Sequence, residues 1–241
     1  DVGVAVIHPR SAWGARPPKR VHRIPLPTPK LYLHHSAGSG ADEEAVKAIQ
    51  KYHMDVKGWS DIAYSFLIDN DAPDIDIFEG RGPGVAGGHT AGQNTVSHGI
   101  CVIGNFTKVP PEPETLEAIA VLVAHGHLAG WWPNRITGGH RDAPGAATSC
   151  PGDALYRLIP SINRRVKQLL EEPMKVIAGF KWLDYETWPE YAKPSIIKNI
   201  EAGVIRGRDV KGKPDSKLFD PNSPLSRAEA AVLLDRIGAV R

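Results

Sequence analysis

The run Gly99-Ile100-Cys101-Val102-Ile103-Gly104 constrains this chain more than any other feature. It is apolar throughout and lacks the alternation of a half-exposed strand, so it suits a central strand buried on both faces. A strand of that kind needs a layer above and a layer below.

Helices are at hand to form those layers. From Asp42 to about Lys57 the apolar residues Ala45, Ile49, Tyr52 and Val56 recur at three- and four-residue spacing before Gly58, which predicts an amphipathic helix. Pro110-Pro111-Glu112 leads into a second helix carrying Leu116, Ile119, Ala120 and Val123. A third holds Ile162, Val166 and Leu169 after Pro160. Between the helices lie short β-type runs: Leu31-Tyr32-Leu33 ending in His34-His35, then Ile62 to Ile68 and Ile75 to Phe78 around the acidic turn Asp69-Asn70-Asp71. The first thirty residues carry Pro9, Pro17, Pro18, Pro25, Pro27 and Pro29 and read as an extended arm around a core built later. This order predicts an α/β protein: a mixed central β-sheet flanked by helices, with a small, mainly helical C-terminal domain. Glu171-Glu172-Pro173 breaks the pattern, so the expected domains are 1–172 and 173–241.

Composition narrows the function only by exclusion. A formal net charge of +2, with Lys and Arg scattered among Asp and Glu, does not suggest a nucleic-acid partner. No apolar stretch approaches the ~20 residues of a membrane span. The N-terminus lacks a signal-peptide pattern, while a start at Asp1 rather than Met leaves earlier processing open. Two cysteines, Cys101 and Cys150, rule out a disulfide framework and leave a single bridge open. Cys101 reads as a buried strand residue. Cys150 ends the loop Gly138-Gly139-His140-Arg141-Asp142-Ala143-Pro144-Gly145-Ala146-Ala147-Thr148-Ser149-Cys150, among turn formers rather than core residues.

Zinc favours imidazole nitrogen and thiolate sulfur, and a catalytic site uses three protein ligands so that a fourth position stays open. A His and a Cys at the two ends of one loop, with a His at a strand end, would supply such a set. The spacing by itself matches no short finger motif and leaves the metal reading open.

Four segments add to it: His34-His35-Ser36-Ala37, Trp59-Ser60-Asp61-Ile62-Ala63-Tyr64-Ser65-Phe66, Gly88-His89-Thr90-Ala91-Gly92-Gln93-Asn94, and His140-Arg141-Asp142 through Cys150-Pro151-Gly152-Asp153-Ala154-Leu155-Tyr156. Their order resembles the N-acetylmuramoyl-L-alanine amidases, in the branch shared by phage lysozyme-type amidases and peptidoglycan recognition proteins. Ser11-Ala12-Trp13-Gly14-Ala15-Arg16 resembles the entry segment of the recognition proteins, so the likeness spans roughly residues 7 to 160. It implies one zinc ion held by His34, His140 and Cys150, with Tyr64 as the catalytic tyrosine and Thr148 beside the scissile carbonyl. It also implies substrate contacts from His89, Thr90, Asn94, Arg81 and Trp59. The expected reaction is hydrolysis of the amide between the lactyl group of N-acetylmuramic acid and the L-alanine of the stem peptide in peptidoglycan.

Rival readings stand beside these roles. Tyr64 could pack its ring in the core, His35 could replace His34, and His89 could be a buried structural residue or orient a neighbour. His53, His98, His125 and His127 read as surface or helix-packing residues. Relatives on this fold that bind peptidoglycan without cutting it typically lack the Cys ligand, which is present here, and a wall protein working only through its C-terminal segment is a third reading. The loop from His140 to Cys150 is about two residues longer than the family pattern, Pro83 follows Gly82 where recognition proteins carry Trp, and Val96 stands where some relatives have Arg. The resemblance therefore names no preferred third stem residue.

The C-terminal segment, with Phe180, Asp184, Tyr191-Ala192, Gly203-Val204-Ile205-Arg206-Gly207, Phe219-Asp220-Pro221 and Leu225-Ser226-Arg227-Ala228-Glu229-Ala230, resembles one S-layer homology repeat. That likeness implies short helices around Ile196–Ile200 and Ala230–Ile237. It also implies attachment to a secondary cell-wall polymer through Arg227, for which local capping or pairing is the rival role. Together the two likenesses point to an extracellular or wall-bound enzyme, or a phage-encoded one acting on a host wall.

Overall fold

A computed structural model describes residues 6–40, 42–73 and 75–171, and four strands of the segment beyond. The chain divides into two compact units, Asp1–Glu171 and Glu172–Arg241.

The first unit is built on a six-stranded sheet of β1 (Val6–His8), β2 (Lys30–His35), β3 (Phe66–Ile68), β4 (Asp76–Glu79), β5 (Ser97–Val102) and β6 (Gly138–Gly139). The spatial order is β1-β4-β3-β5-β2-β6. Only β3 and β4 pair antiparallel; the other neighbours run parallel, so the sheet is mixed. Its central strand is the one the apolar run requires, since every residue of β5 is buried.

Two cores explain why β5 shows no alternation. On one face Leu31, Leu33, Phe66, Ile68, Ile100 and Val102 pack with Ile119, Leu122 and Val123 of α2 (Pro113–Leu128) and with Ile162 and Val166 of α4 (Ile159–Glu171). On the other, Leu67, Cys101 and Ile103 meet Val46 of α1 (Glu43–Lys51), Ile62 and the fully buried Trp13. The period-two alternation of a strand assigns each residue to one core or the other. Trp13 pins the proline-rich arm, its indole nitrogen donating to the Glu79 carbonyl at 2.9 Å.

The structure differs from the sequence expectations at several boundaries. The arm contributes β1, whose partner β4 comes seventy residues later. The strand expected over 62–68 is confined to 66–68, because the carbonyls of Tyr64 and Ser65 turn aside to accept from the amides of Gly80, Arg81 and Gly82. The helix from Asp42 is α-helical only to Lys51, with Asp42 accepting the Ala45 amide as its N-cap. It then widens into a π-helical turn over Tyr52–Val56. That extra residue per turn rotates the face. Tyr52 and Val56, expected inside, are 47% and 69% exposed, while His53 and Met54 are buried.

Past Gly152 lies the one-turn helix α3 (Asp153–Tyr156), which leads into α4. Of the second unit the structure describes β7 (Val176–Ile177), β8 (Phe180–Trp182), β9 (Arg208–Val210) and β10 (Lys213–Leu218), in the order β7-β8-β10-β9. The short helices expected there, and Arg227, lie outside the described residues. No helix among the described residues is long and apolar enough to cross a membrane.

Candidate metal centre and cleft

His34 and His35 end β2, and strand alternation sends them to opposite sides. His35 accepts the Phe106 amide at Nδ1, 3.3 Å away, on the side of the larger core. His34 points to the face it shares with Cys101, its register partner on β5.

The loop that bears the other two candidates starts at the neighbouring edge. β6 pairs with β2 so that Gly139 lies opposite Leu33, which delivers His140 next to His34 with ring centroids 4.8 Å apart. A side chain at Gly139 would collide with Pro151, its Cβ falling 2.5 Å from the ring, so the loop can fold back only over a glycine. Arg141 closes it. Its amide donates to the Cys150 carbonyl at 3.0 Å, and its guanidinium reaches Ser149 O and the Asp153 carboxylate and lies over the Tyr156 ring. Cys150 is thereby carried back to the end of β2, where its sulfur accepts the His35 amide at 3.5 Å and stands 3.7 Å from His34 Nδ1.

Ligand atoms of His34, His140 and Cys150 all lie within 4.8 Å of one another, the only such group of three among the described residues. The electrostatics suit a metal rather than a charged pair of side chains. Burial pushes the His34 pKa well down, with His89, His140 and His35 adding to it, and burial also lowers His140. Both imidazoles are therefore neutral donors near pH 7. Burial pushes the Cys150 thiol up to about 11, partly offset by the His35 backbone and Arg141. Two neutral imidazoles and one thiol converging on a point are the donor set zinc takes, and zinc would displace the thiol proton.

The group forms the floor of a cleft of about 340 Å³, lined further by His53, Trp59, Tyr64, Gly88, His89 and Thr148. Tyr64 stands beside His34, ring centroids 5.3 Å apart. Its phenol is held well above its usual pKa, first by burial and then by Cys101 and Cys150. Thr148 is exposed and accepts the Cys150 amide at 3.1 Å through Oγ1. Trp59 stacks on His53 at 4.8 Å with 27° between the rings, and His53 Nδ1 accepts the Ala63 amide.

His53 is thus a wall of the cleft, and it is the residue the sequence reading missed. The signal was present only in Tyr52-His53-Met54 preceding Gly58-Trp59, and the π-helical turn concealed it. His98 is likewise neither surface nor helix-packing, being a buried β5 residue 2.8 Å from Ser65 Oγ.

The remaining expected residues lie behind the wall. Arg81 donates to the carbonyls of Ile62, Ala86 and Asp61 and fastens two loops together. Asn94 Oδ1 accepts the amides of both His89 and Thr90 at 3.0 Å. Thr90 is buried, its hydroxyl 2.9 Å from His89 Nδ1.

Comparison with known proteins bears on this geometry. Residues 25–153, more than half the chain, match the family model described as N-acetylmuramoyl-L-alanine amidase. The chain belongs to that family. Residues 184–231 match the model described as S-layer homology domain. It is 35% identical to human N-acetylmuramoyl-L-alanine amidase over 171 residues, covering 66% of this chain and 28% of that protein. It is 36% identical to mouse peptidoglycan recognition protein 1 over 162 residues, 64% of this chain and 86% of the relative. The chain spans under a third of the length of the human and pig amidases it matches. Among solved structures, wild-type Drosophila PGRP-LB superposes with a TM-score of 0.60 at 34% identity, over 65% of this chain and 94% of that one. A variant of the same protein, solved in complex with tracheal cytotoxin, gives 0.60 at 32% identity over 67% and 96%.

Proposed function

We propose that this chain is a zinc-dependent N-acetylmuramoyl-L-alanine amidase that cleaves the amide joining the lactyl group of N-acetylmuramic acid to the L-alanine of the stem peptide. The observation that carries the reading is the convergence of two neutral imidazoles and one thiol within 4.8 Å at the floor of an open cleft. Relatives that only bind peptidoglycan typically lack the cysteine, and Cys150 is present here.

When bound, zinc supplies Lewis acidity that polarises a carbonyl and acidifies water at neutral pH. The residues around it have separate tasks. Tyr64, kept protonated by its raised pKa, remains a hydrogen-bond donor to the charge that develops on the carbonyl oxygen. Thr148 spends an oxygen lone pair on the Cys150 amide and keeps its proton for the cleft. The stacked pair Trp59 and His53 offers a flat apolar wall for a sugar or peptide. Burial and the cations Arg81 and Lys57 push His53 down to about 4, so that wall is uncharged at neutral pH. Arg81, Thr90 and Asn94 act by fixing the loop that carries Gly88 and His89. The S-layer homology segment holds the enzyme on a secondary wall polymer through Arg227, outside the cell.

The test is to incubate the protein with purified peptidoglycan, with and without a chelator, and to measure new L-alanine amino termini. Release that stops on chelation and returns with zinc supports the reading. Retention on the wall without release of amine makes the chain a binding protein.

A further inference from the structure

The zinc reading leaves one buried imidazole unexplained. His89 is 6% exposed, and its ring sits in a slot where no side chain fits: a Cβ at Gly87 would lie 2.3 Å from His89 Cδ2, and one at Gly99 would lie 2.6 Å from Cγ. Asn94 fixes the backbone on either side of the ring. A side chain held this firmly has a set direction. Nδ1 of His89 lies 3.1 Å from Nε2 of His34 and 2.9 Å from the Thr90 hydroxyl, so the three atoms form one cluster.

The two nitrogens of His34 face different neighbours. Nδ1 looks at the Cys150 sulfur, while Nε2 looks at His89, with Thr90 Oγ1 at 3.5 Å. A neutral imidazole that gives Nδ1 to a metal carries its proton on Nε2, and a metal-bound histidine ordinarily passes that N–H to a fixed acceptor. A proton on Nδ1 of His34 would instead block the lone pair aimed at the metal position. We propose that His89 is a positioning residue for the metal centre: its Nδ1 accepts the Nε2–H of His34 and so fixes the tautomer whose bare Nδ1 faces Cys150.

This assignment puts the proton of His89 on its own Nε2. That atom is the one buried side-chain nitrogen or oxygen among the described residues without a partner of good hydrogen-bond geometry. The Ser97 backbone interacts with the His89 ring closely enough to oppose the lowering of its pKa by burial, so the ring has a backbone acceptor for its proton while Nδ1 is left to accept. The acceptor is also uncharged. Unlike a carboxylate, it directs His34 without cancelling the positive charge left when one thiolate meets a divalent ion.

The proposal rests on the zinc reading, and the experiment separates the two. Zinc affinity is measured by competition with a chromophoric chelator for wild type, His89→Leu, His89→Asn and the double variant His89→Leu/Thr90→Val, with circular dichroism confirming each fold. The tautomer of His34 is read by nitrogen–proton NMR on zinc-loaded wild-type protein labelled at histidine. Loss of about ten- to a hundred-fold in affinity in His89→Leu is expected. His89→Asn, which keeps an acceptor oxygen, should stay within a few-fold of wild type, and the double variant should be weakest. In the NMR spectrum His34 should carry its proton at Nε2, coupled to His89. Wild-type affinity in folded His89→Leu, or a His34 proton at Nδ1, overturns the proposal while leaving the zinc site intact. If the leucine variant does not fold, the wild-type spectrum decides alone. A wild-type protein that takes up no zinc overturns both readings.

Discussion

Beyond the part of a proton that a zinc-bound water gives up at pH 7.5, zinc uptake at that pH should release one proton from Cys150. Neither imidazole can supply it, because burial already holds both His34 and His140 below the ordinary value of 6.5. Tyr64 cannot either, its phenol lying well above 10. The Cys150 thiol sits at about 11, some 3.5 units above the working pH. At about 1.4 kcal/mol per unit, forming the thiolate costs about 5 kcal/mol, and about one chain in three thousand carries it unaided. Zinc-finger peptides, whose apparent zinc affinities of about 10–16 kcal/mol at pH 7 already include deprotonating their thiols, show that a cost of this size can be met. Since the metal takes the deprotonated form of a group whose pKa is raised, the sign is fixed. Affinity should rise about tenfold per pH unit from 7.5 toward the thiol pKa. Calorimetric titration in two buffers of different ionisation enthalpy counts the protons, and a competing chelator keeps free zinc low. A count below one would mean that Cys150 is already ionised or does not bind the metal. A count above two would mean that an imidazole or Tyr64 also titrates on binding, and either count refutes the reasoning. Cys150→Ser should abolish the release and most of the affinity together.

Replacing Tyr64 with Phe should lower kcat about 10²–10³-fold, the cost of losing one oxyanion donor, while zinc stoichiometry stays at one. A drop in zinc content instead would make Tyr64 a packing residue of the centre. Asp69 carries a carboxyl raised to about 7, chiefly by burial and then by Asp76 and Asp71. The folded chain therefore binds this proton more tightly than the unfolded one, and stability should fall as pH rises from about 4 through about 7. Asp69→Asn keeps the oxygen that accepts the Asp76 amide. It should melt with wild type near pH 4 and exceed it by about 1–3 kcal/mol at pH 8; equal stability at both values would remove the shift. Trp13→Ala should cost about 3–5 kcal/mol in denaturant unfolding, since it empties a fully buried site and leaves the Glu79 carbonyl without its donor.

What could be read from the sequence depended on whether a residue's partner is near it in the chain. The apolar run at Gly99–Gly104 foretold a strand covered on both faces, because burial on two sides is written into four consecutive side chains. Helix α1 was legible to Lys51 and then misleading. Tyr52 and Val56 keep the α-helical spacing, but the π-helical turn rotates them outward and His53 inward, and no local pattern marks where a helix will widen. β1 and the shortened β3 were hidden for a related reason. Their limits are set by Asp76–Phe78 and by the amides of Gly80–Gly82, partners far along the chain.

The same distinction runs through the site. His140 and Cys150 bracket one loop, and their closeness follows from that loop folding over Gly139. His34 joins them only because β6 pairs with β2, a hundred residues apart in sequence, so spacing alone left the trio weakly supported and family motif order was needed to connect it. His89 shows where both signals stop. Motif order marked Gly88-His89-Thr90 as functional and suggested contact with substrate, yet the ring's surroundings are two glycines from different segments and the far nitrogen of His34. A glycine whose purpose is to leave room for another residue's ring looks, in sequence, like any other glycine. Substituting Gly99 with Ala should therefore act on the metal centre through His89, with zinc affinity falling further than the 1–3 kcal/mol of an ordinary overpacked core would suggest; a loss of stability with zinc affinity unchanged would show that the slot is packing alone.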